Sequence, residues 1–536
     1  MTLAGWAVLL GITASPDALA TSGQPRAAFG DEVILASPAS GKDEQIILLD
    51  DEEEGTRAPA ADPISGPLGR VWESWHVGLD FDVLGTVQMV EPEDGPWRVL
   101  GSAWLESWLL PAKNLSFYAN GFARAAVDGT PSGRVVPFAD LYEAYAKINV
   151  DRAVVTLGRI VVPWGRTQAA ALGDRLNPPD QRRGPPFPDP ARQKQPMVGG
   201  TMRTSLGSLG IEVVAFPQHQ PSEGSLAASN QGGVRIARYQ TALIRSPARA
   251  GGLLVEDDRA RLLADPVLLQ SASLAGRVWR RVGDVDISGS VVWGFDETPR
   301  LHLRPDVARA LANELLQLRP LPSDDTPLAC GVELTLGCVG NRGALEHGRA
   351  TSLSLDASLG LGIIIVRAEA TAWPDIGTLG GKTAILVDDL GLRSDRLSQY
   401  AAALAIEGSI GEAIDGSLEL FDVLWDGVPP SALLWGVEPL ATTASSTSTG
   451  PRMVHRLAGA ANLGGAFFED RVHWKVRGEV GILQPDVLVS AELRYRLPVL
   501  GLYVGGRTDV FTGVAGSPGW FRQDASMVGV FVGEGS

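Results

Sequence analysis

The feature that most restricts this chain is a period of two, sustained from Val71 almost to the end. In Val472 to Ile482, the side chains Val472, Trp474, Val476, Gly478, Val480 and Ile482 fall on one face. His473, Lys475, Arg477 and Glu479 fall on the other. Leu488 to Leu497 repeats the pattern, with Val489, Ala491, Leu493 and Tyr495 set against Ser490, Glu492, Arg494 and Arg496. Similar alternation runs through 285–293, 353–359 and 364–372. Such a pattern reads as β-strand with two unlike faces. Strands of soluble sandwiches also alternate, but they usually stop at about five or six residues. Many runs here reach about nine to thirteen, the length a tilted strand needs to cross a bilayer.

The connections carry a second regularity. Strands are expected near 71–83, 98–109, 115–127, 138–149, 153–162, 198–206, 209–216, 272–281 and 285–295. They continue near 349–359, 362–373, 397–407, 412–424, 454–468, 472–484, 488–497, 500–511 and 521–533. Even-numbered gaps are tight turns, such as Asn149-Val150-Asp151-Arg152, Gly207-Ser208 and Glu469-Asp470. Odd-numbered gaps are mostly long, including 163–197, 217–271, 296–348 and 425–453. Short turns at one end and long loops at the other are the signature of an outer-membrane barrel. The expected fold is therefore all-β: a transmembrane antiparallel up-and-down β-barrel of about 16–18 strands with long extracellular loops. Closure would satisfy every backbone group in lipid.

Composition narrows the function classes. Hydrophobic residues make up 45% of the chain and charged ones 20%, unlike a disordered protein. The net charge of −16 argues against a nucleic-acid binder. Leu3 to Ile12 is apolar and Ala18-Leu19-Ala20 is a small-x-small cleavage site, so 1–20 reads as a signal peptide, although no Lys or Arg precedes the apolar run. Residues 21–69 read as a flexible acidic periplasmic arm, in which 21–62 hold ten acidic and three basic side chains. Asp31-Glu32-Val33-Ile34-Leu35-Ala36 has some likeness to the energy-coupling box of active outer-membrane receptors, but a plug-sized domain does not follow it. The barrel is expected over 70–536. Cys330 and Cys338 lie close together with no further metal ligands nearby, so a local disulfide is the expected state in an oxidising compartment. No metal or other cofactor is expected.

The loop 163–197 is the most informative. Trp164-Gly165 at a strand end suits a lipid–water boundary. The alternative is that the loop folds inward and narrows the lumen. It carries Arg166, Asp174, Arg175, Asp180, Arg182 and Arg183, and Arg159 lies just before it. Opposite charges facing each other across a constriction would select solutes by size and charge. Glu143-Ala144-Tyr145, Gly158-Arg159, Trp164-Gly165 and Asn177-Pro178-x-Asp180 carry a family likeness. So do Ala215-Phe216-Pro217-Gln218 and Gly294-Phe295-Asp296-Glu297-Thr298-Pro299. Over about 140–300 the chain resembles a family of proteobacterial outer-membrane porin-like proteins, known mainly as a domain of unknown function. The resemblance implies a β-barrel pore of the outer membrane. It departs from the family after Phe531, where Val532-Gly533-Glu534-Gly535-Ser536 replaces a terminal aromatic residue.

Lumen-facing charges are expected at Arg367, Glu369, Lys475, Arg477, Arg494, Arg496 and Arg507, either as ion-pair ladders or along a water path. The stretch 302–318 has helical spacing with Pro305 at the helix start, and reads as a loop helix or a plug. His-Glu-x-x-His, Gly-x-Ser-x-Gly and a credible Ser–His set are all missing from the sequence. The expected function is a porin-like channel for passive passage of small solutes, with outer-membrane lipid as its surroundings and no enzymatic role. Transport of hydrophobic compounds, a barrel enzyme and an adhesin scaffold remain alternatives.

Overall fold

The computed structural model describes residues 75–88, 97–128, 135–165, 172, 176–178, 194–217, 272–296, 300–303, 305, 308–309, 312, 343–346, 348–376, 379–388, 391–411, 414–434, 437–438, 450–468, 470–498, 502–514 and 526–534. All belong to the compact unit Thr56–Ser536. The proposed signal peptide, the acidic arm and Cys330 and Cys338 lie outside the described residues.

Strands dominate. The first nine are β1 (Trp75–Gln88), β2 (Trp97–Ala112), β3 (Leu115–Asp128), β4 (Val135–Val150), β5 (Ala153–Ile160), β6 (Met197–Leu206), β7 (Leu209–Phe216), β8 (Ser273–Val282) and β9 (Val285–Phe295). Two short strands follow, β10 (Arg300–Leu303) and β11 (Gly343–Glu346). Then come β12 (Arg349–Leu361), β13 (Ile364–Trp373), β14 (Lys382–Asp388), β15 (Gly391–Ile410), β16 (Ile414–Val428) and β17 (Leu433–Leu434). The last five are β18 (Arg452–Phe467), β19 (Val472–Gly481), β20 (Asp486–Arg496), β21 (Leu502–Gly513) and β22 (Met527–Glu534).

Each long strand pairs antiparallel with the next long strand in sequence. β9 passes to β12, β13 to β15 and β16 to β18, skipping the short strands between them. β22 in turn pairs with β1, from Asp82 opposite Gly533 to Gln88 opposite Met527. Among the described residues, every long strand thus has a partner on both sides, and the backbone groups of the sheet find partners within it.

The tight connections fall at one end: 113–114, 151–152, 207–208, 283–284, 362–363 and 411–413. Their chain reversal needs left-handed backbone, which Gly207 (φ 62°), Gly283 (φ 63°) and Gly362 (φ 67°) supply without steric cost. Asp151 (φ 47°) fills the same role as a residue tolerant of that region. The long connections at 161–196, 217–272, 296–348, 374–390 and 429–451 all lie at the other end.

Within those long connections, β10 pairs with β11, and β14 bridges the first half of β15 to β17. Ala384, Leu386, Leu397, Val428, Ala432, Leu434, Val437 and Val454 form a small core there, a cap built on the strand ends. β15 therefore starts at Gly391 rather than near 397, because its first half is held by β14 instead of the ring neighbours. The stretch expected to be helical from 302 begins later: His302 and Leu303 belong to β10 and pair with Ala344 and Gly343. Pro305, Ala308, Arg309 and Ala312 are helical.

The two faces of the ring are inverted relative to a protein that folds in water. Exposed positions are apolar: Leu105, Leu157, Met202, Leu355 (67%), Leu404, Leu418 and Val530 (65%) all face outward. Buried positions are polar: Asn120, Glu143, Glu212, Asp356, Glu369, Glu419 and Asp509 face inward. Full burial of a Val or Leu side chain is worth about 1.5–3 kcal/mol. An apolar belt of this extent, left against water, would forgo that gain many times over.

Candidate pore constriction and inner wall

Strand β5 ends at Ile160, and the chain then turns into the ring rather than away from it. Val162, Trp164, Leu176 and Met197 join Ile160, Val214 and Phe216 in one buried cluster with the inner positions of β8 and β9. The base of the loop is clamped by one side chain. Asn177 Oδ1 accepts from the Val162 N–H at 2.7 Å, while its Nδ2 donates to the carbonyls of Ile160 (3.2 Å) and Gln195 (2.8 Å). The Gln195 N–H closes the same base on the Pro178 carbonyl at 2.8 Å. Glu143 of β4 accepts from the Val161 N–H at 2.9 Å. One amide thus satisfies both rims of the loop neck, so the neck is as well bonded as a sheet.

Trp164 is 2% exposed, which excludes the lipid–water boundary as its place. Its Nε1–H donates to Glu212 Oε2 at 2.9 Å, and Arg203 Nε holds the other carboxylate oxygen at 2.7 Å. Glu212, 1% exposed, is the sole charge of β7 and lies on its inward face between Arg203 and Arg277 in register. A buried carboxylate is sustained by such charge-assisted bonds. Further along the loop, Leu172 is buried against Ala350, Trp373, Ala401, Ala403, Phe421, Val423 and Ala458. These are inner positions of β12, β13, β15, β16 and β18. The loop therefore touches the inner wall in two separate places, at β7 and at β12–β18.

Of the expected constriction residues, Arg166, Asp174, Arg175, Asp180, Arg182 and Arg183 lie outside the described residues. Arg159 is placed differently from expectation. It stands opposite Ala144 and Val198, and Val198 is exposed on the outer face. Strand alternation thus sets Arg159 on the outward side at the loop end of β5, because the inward neighbour there is Ile160.

The inner-wall set shares one face through continuous register. Arg367 and Glu369 stand opposite Ser358 and Asp356 on β12, and opposite Ala405 and Ala403 on β15. Arg477 faces Asn462 and Ser490, Lys475 faces Glu492, and Ser490 faces Asp509. Arg494 and Arg496 complete the row on β20, and Arg507 stands opposite Glu492. Ion pairs tie three of them, Arg367 to Glu407 at 3.0 Å, Arg507 to Asp509 at 3.1 Å and Arg494 to Glu492, and elsewhere on the inner face Arg277 to Asp356 at 3.6 Å and Arg456 to Glu479. Their burial differs by sector. Arg367 and Glu369 are buried beside the loop, whereas Lys475 and Arg496 are exposed on the inner face.

Sequence reasoning singled out neither Glu212 nor Leu172. A lone charge in the otherwise apolar β7, and an apolar residue within a polar loop, were the available signals.

No family model matches the chain, and no curated protein matches it. Among solved structures it is similar to Salmonella typhi OmpF in complex with daunomycin, at 8% identity and a TM-score of 0.39, over 85% of this chain and 97% of that one. It is similar to Pseudomonas aeruginosa OccK8 (OprE), at 9% identity and a TM-score of 0.43, over 86% and 98%. A third is Pseudomonas aeruginosa OccK2 (OpdF) in complex with glucuronate, at 12% identity and a TM-score of 0.41, over 86% and 97%.

Proposed function

We propose that this protein is an outer-membrane channel for passive passage of small solutes, built as a transmembrane up-and-down β-barrel of eighteen strands and without catalytic chemistry. The observation that carries this reading is the inverted surface. Long strands present an apolar belt outward and charged groups inward, an arrangement that lipid outside and water inside would stabilise. The inward loop after β5 supplies the narrow section, and the solute path follows the β19–β21 wall, where Lys475 and Arg496 are exposed. Lys475, Arg477, Arg494 and Arg496 line that wall, so anions are favoured over cations. In a channel walled by low-dielectric material, a few such charges govern passage because they are less screened than on an open surface. Recording the refolded full-length chain in a planar bilayer tests the reading. Discrete conductance steps with an anion-selective reversal potential are expected. Protein that demonstrably inserts yet passes no current would overturn the channel reading.

A further inference from the structure

The cap holds a charged arrangement that the pore does not use. Strand β10 packs against β14 and β15, bringing Arg300 close to Arg396 on the cap half of β15. Both side chains converge on the backbone of Gly348, just ahead of β12. The point a Cβ would occupy there lies 2.7 Å from Nη2 of Arg396 and 3.4 Å from Nε of Arg300. Gly380 (φ +61°) meets the same guanidinium from another side, its Cβ position 2.9 Å from Nη1 of Arg396. Both glycines are buried. Two backbone stretches lacking side chains thus make room for the heads of two arginines.

Their charges are not balanced by the side chains described around them. Among the described residues, neither guanidinium has a carboxylate within ion-pairing distance. Asp395, next in the chain, bonds Arg393 at 3.4 Å and accepts from the Arg396 backbone N–H at 2.9 Å. The Nε of Arg300 is buried without a hydrogen-bond partner. Converging like charges with an unsatisfied buried donor are unfavourable on both counts. An oxyanion removes both penalties, since guanidinium forks match the oxygens of phosphate. We propose that Arg300 and Arg396 form an oxyanion site in the cap, taking a phosphate dianion. A phosphate, with more acceptor oxygens than a carboxylate, can engage both guanidinium heads at once.

Two sources could supply that group, a lipid headgroup or free phosphate. The lipid source rests on the membrane reading above, and free phosphate does not. Arg349, the residue after Gly348, stacks its guanidinium over Trp293 at 4.0 Å and Phe295 at 4.6 Å on the outer face. Gly348, like the buried Ala350, alternates to the inner side, so the titration and not position chooses between the two sources.

The test uses the full chain in detergent, titrated calorimetrically with inorganic phosphate and, separately, with micelles of an acylated glucosamine disaccharide bisphosphate or its dephosphorylated form. Phosphate-dependent binding is expected, weakened at least about tenfold in an Arg300→Gln/Arg396→Gln variant. Retained heat-modifiable migration on a gel establishes that the variant is folded. Binding of the bisphosphate lipid alone assigns the headgroup; binding of inorganic phosphate as well assigns a free anion. Absent binding of both probes, or equal binding by wild type and the folded double variant, would overturn the site. None of these readouts depends on conductance, so a failed channel reading leaves the phosphate arm standing.

Discussion

Trp164 and Glu212 form the smallest unit that holds the loop after β5 to the inner wall. A Trp164→Phe variant keeps the ring in its cluster but removes the donor to Glu212. A charge-assisted hydrogen bond of this kind is worth about 1.5–3 kcal/mol. The variant is expected to hold its fold while open-channel current noise rises, because the loop loses its anchor at β7. Unaltered noise in single-channel records would count against the loop as the narrow section. The inward and outward faces give a paired test on adjacent residues. Val476 is exposed on the outer face, whereas Arg477 donates from Nε to Asn462 Oδ1 at 3.2 Å on the inner one. Val476→Arg should cost roughly 2–4 kcal/mol in lipid refolding, as for a basic residue near the midplane. Arg477→Ala should cost much less. Equal shifts would sink the assignment of faces. Both faces were legible in the sequence at these positions, since alternation assigns a side without any knowledge of partners. Arg159 was misread because it was taken with the loop that follows, while its direction is set by β5.

At the scale of the element, the loop after β5 is expected to set conductance. Removing residues 166–175 takes away Leu172 and its contact with the β12–β18 wall but keeps the Asn177 clamp at the neck. Single-channel conductance should therefore rise without loss of folding; an unchanged conductance would move the constriction to another loop. The long strands were readable because length and period both pointed to them. The short β10, β11, β14 and β17 were not, since two to seven residues give too few alternations to stand out from loop. The cap they build comes from pairings distant in sequence, such as Leu386 with Leu434. Local pattern carries no trace of such contacts. The sequence left the inward fold of the loop open; among its described residues, Val162, Trp164, Leu172 and Leu176 are buried against inner positions of the strands.

At the scale of the whole molecule, the pairing of β22 with β1 joins the two ends of the strand series. A chain ending after 526 would leave β1 and β21 with open edges, each a row of unpaired donors and acceptors. Such a chain is expected to lose the heat-modifiable folded band on gels and to aggregate during refolding. A folded, inserted product would show that β22 is dispensable. The described long strands, joined edge to edge with β22 paired back to β1, resist stretching along the series better than they resist flattening across it. Trp164, bonded to Glu212, and Leu172, seated on the β12–β18 wall, attach one loop to separate arcs of the ring. Two anchors set across a ring act as a cross-strut does: in the proposed membrane setting, lateral squeezing would load them before it deformed the wall, and severing either attachment should leave a rounder opening at rest and a softer one under tension.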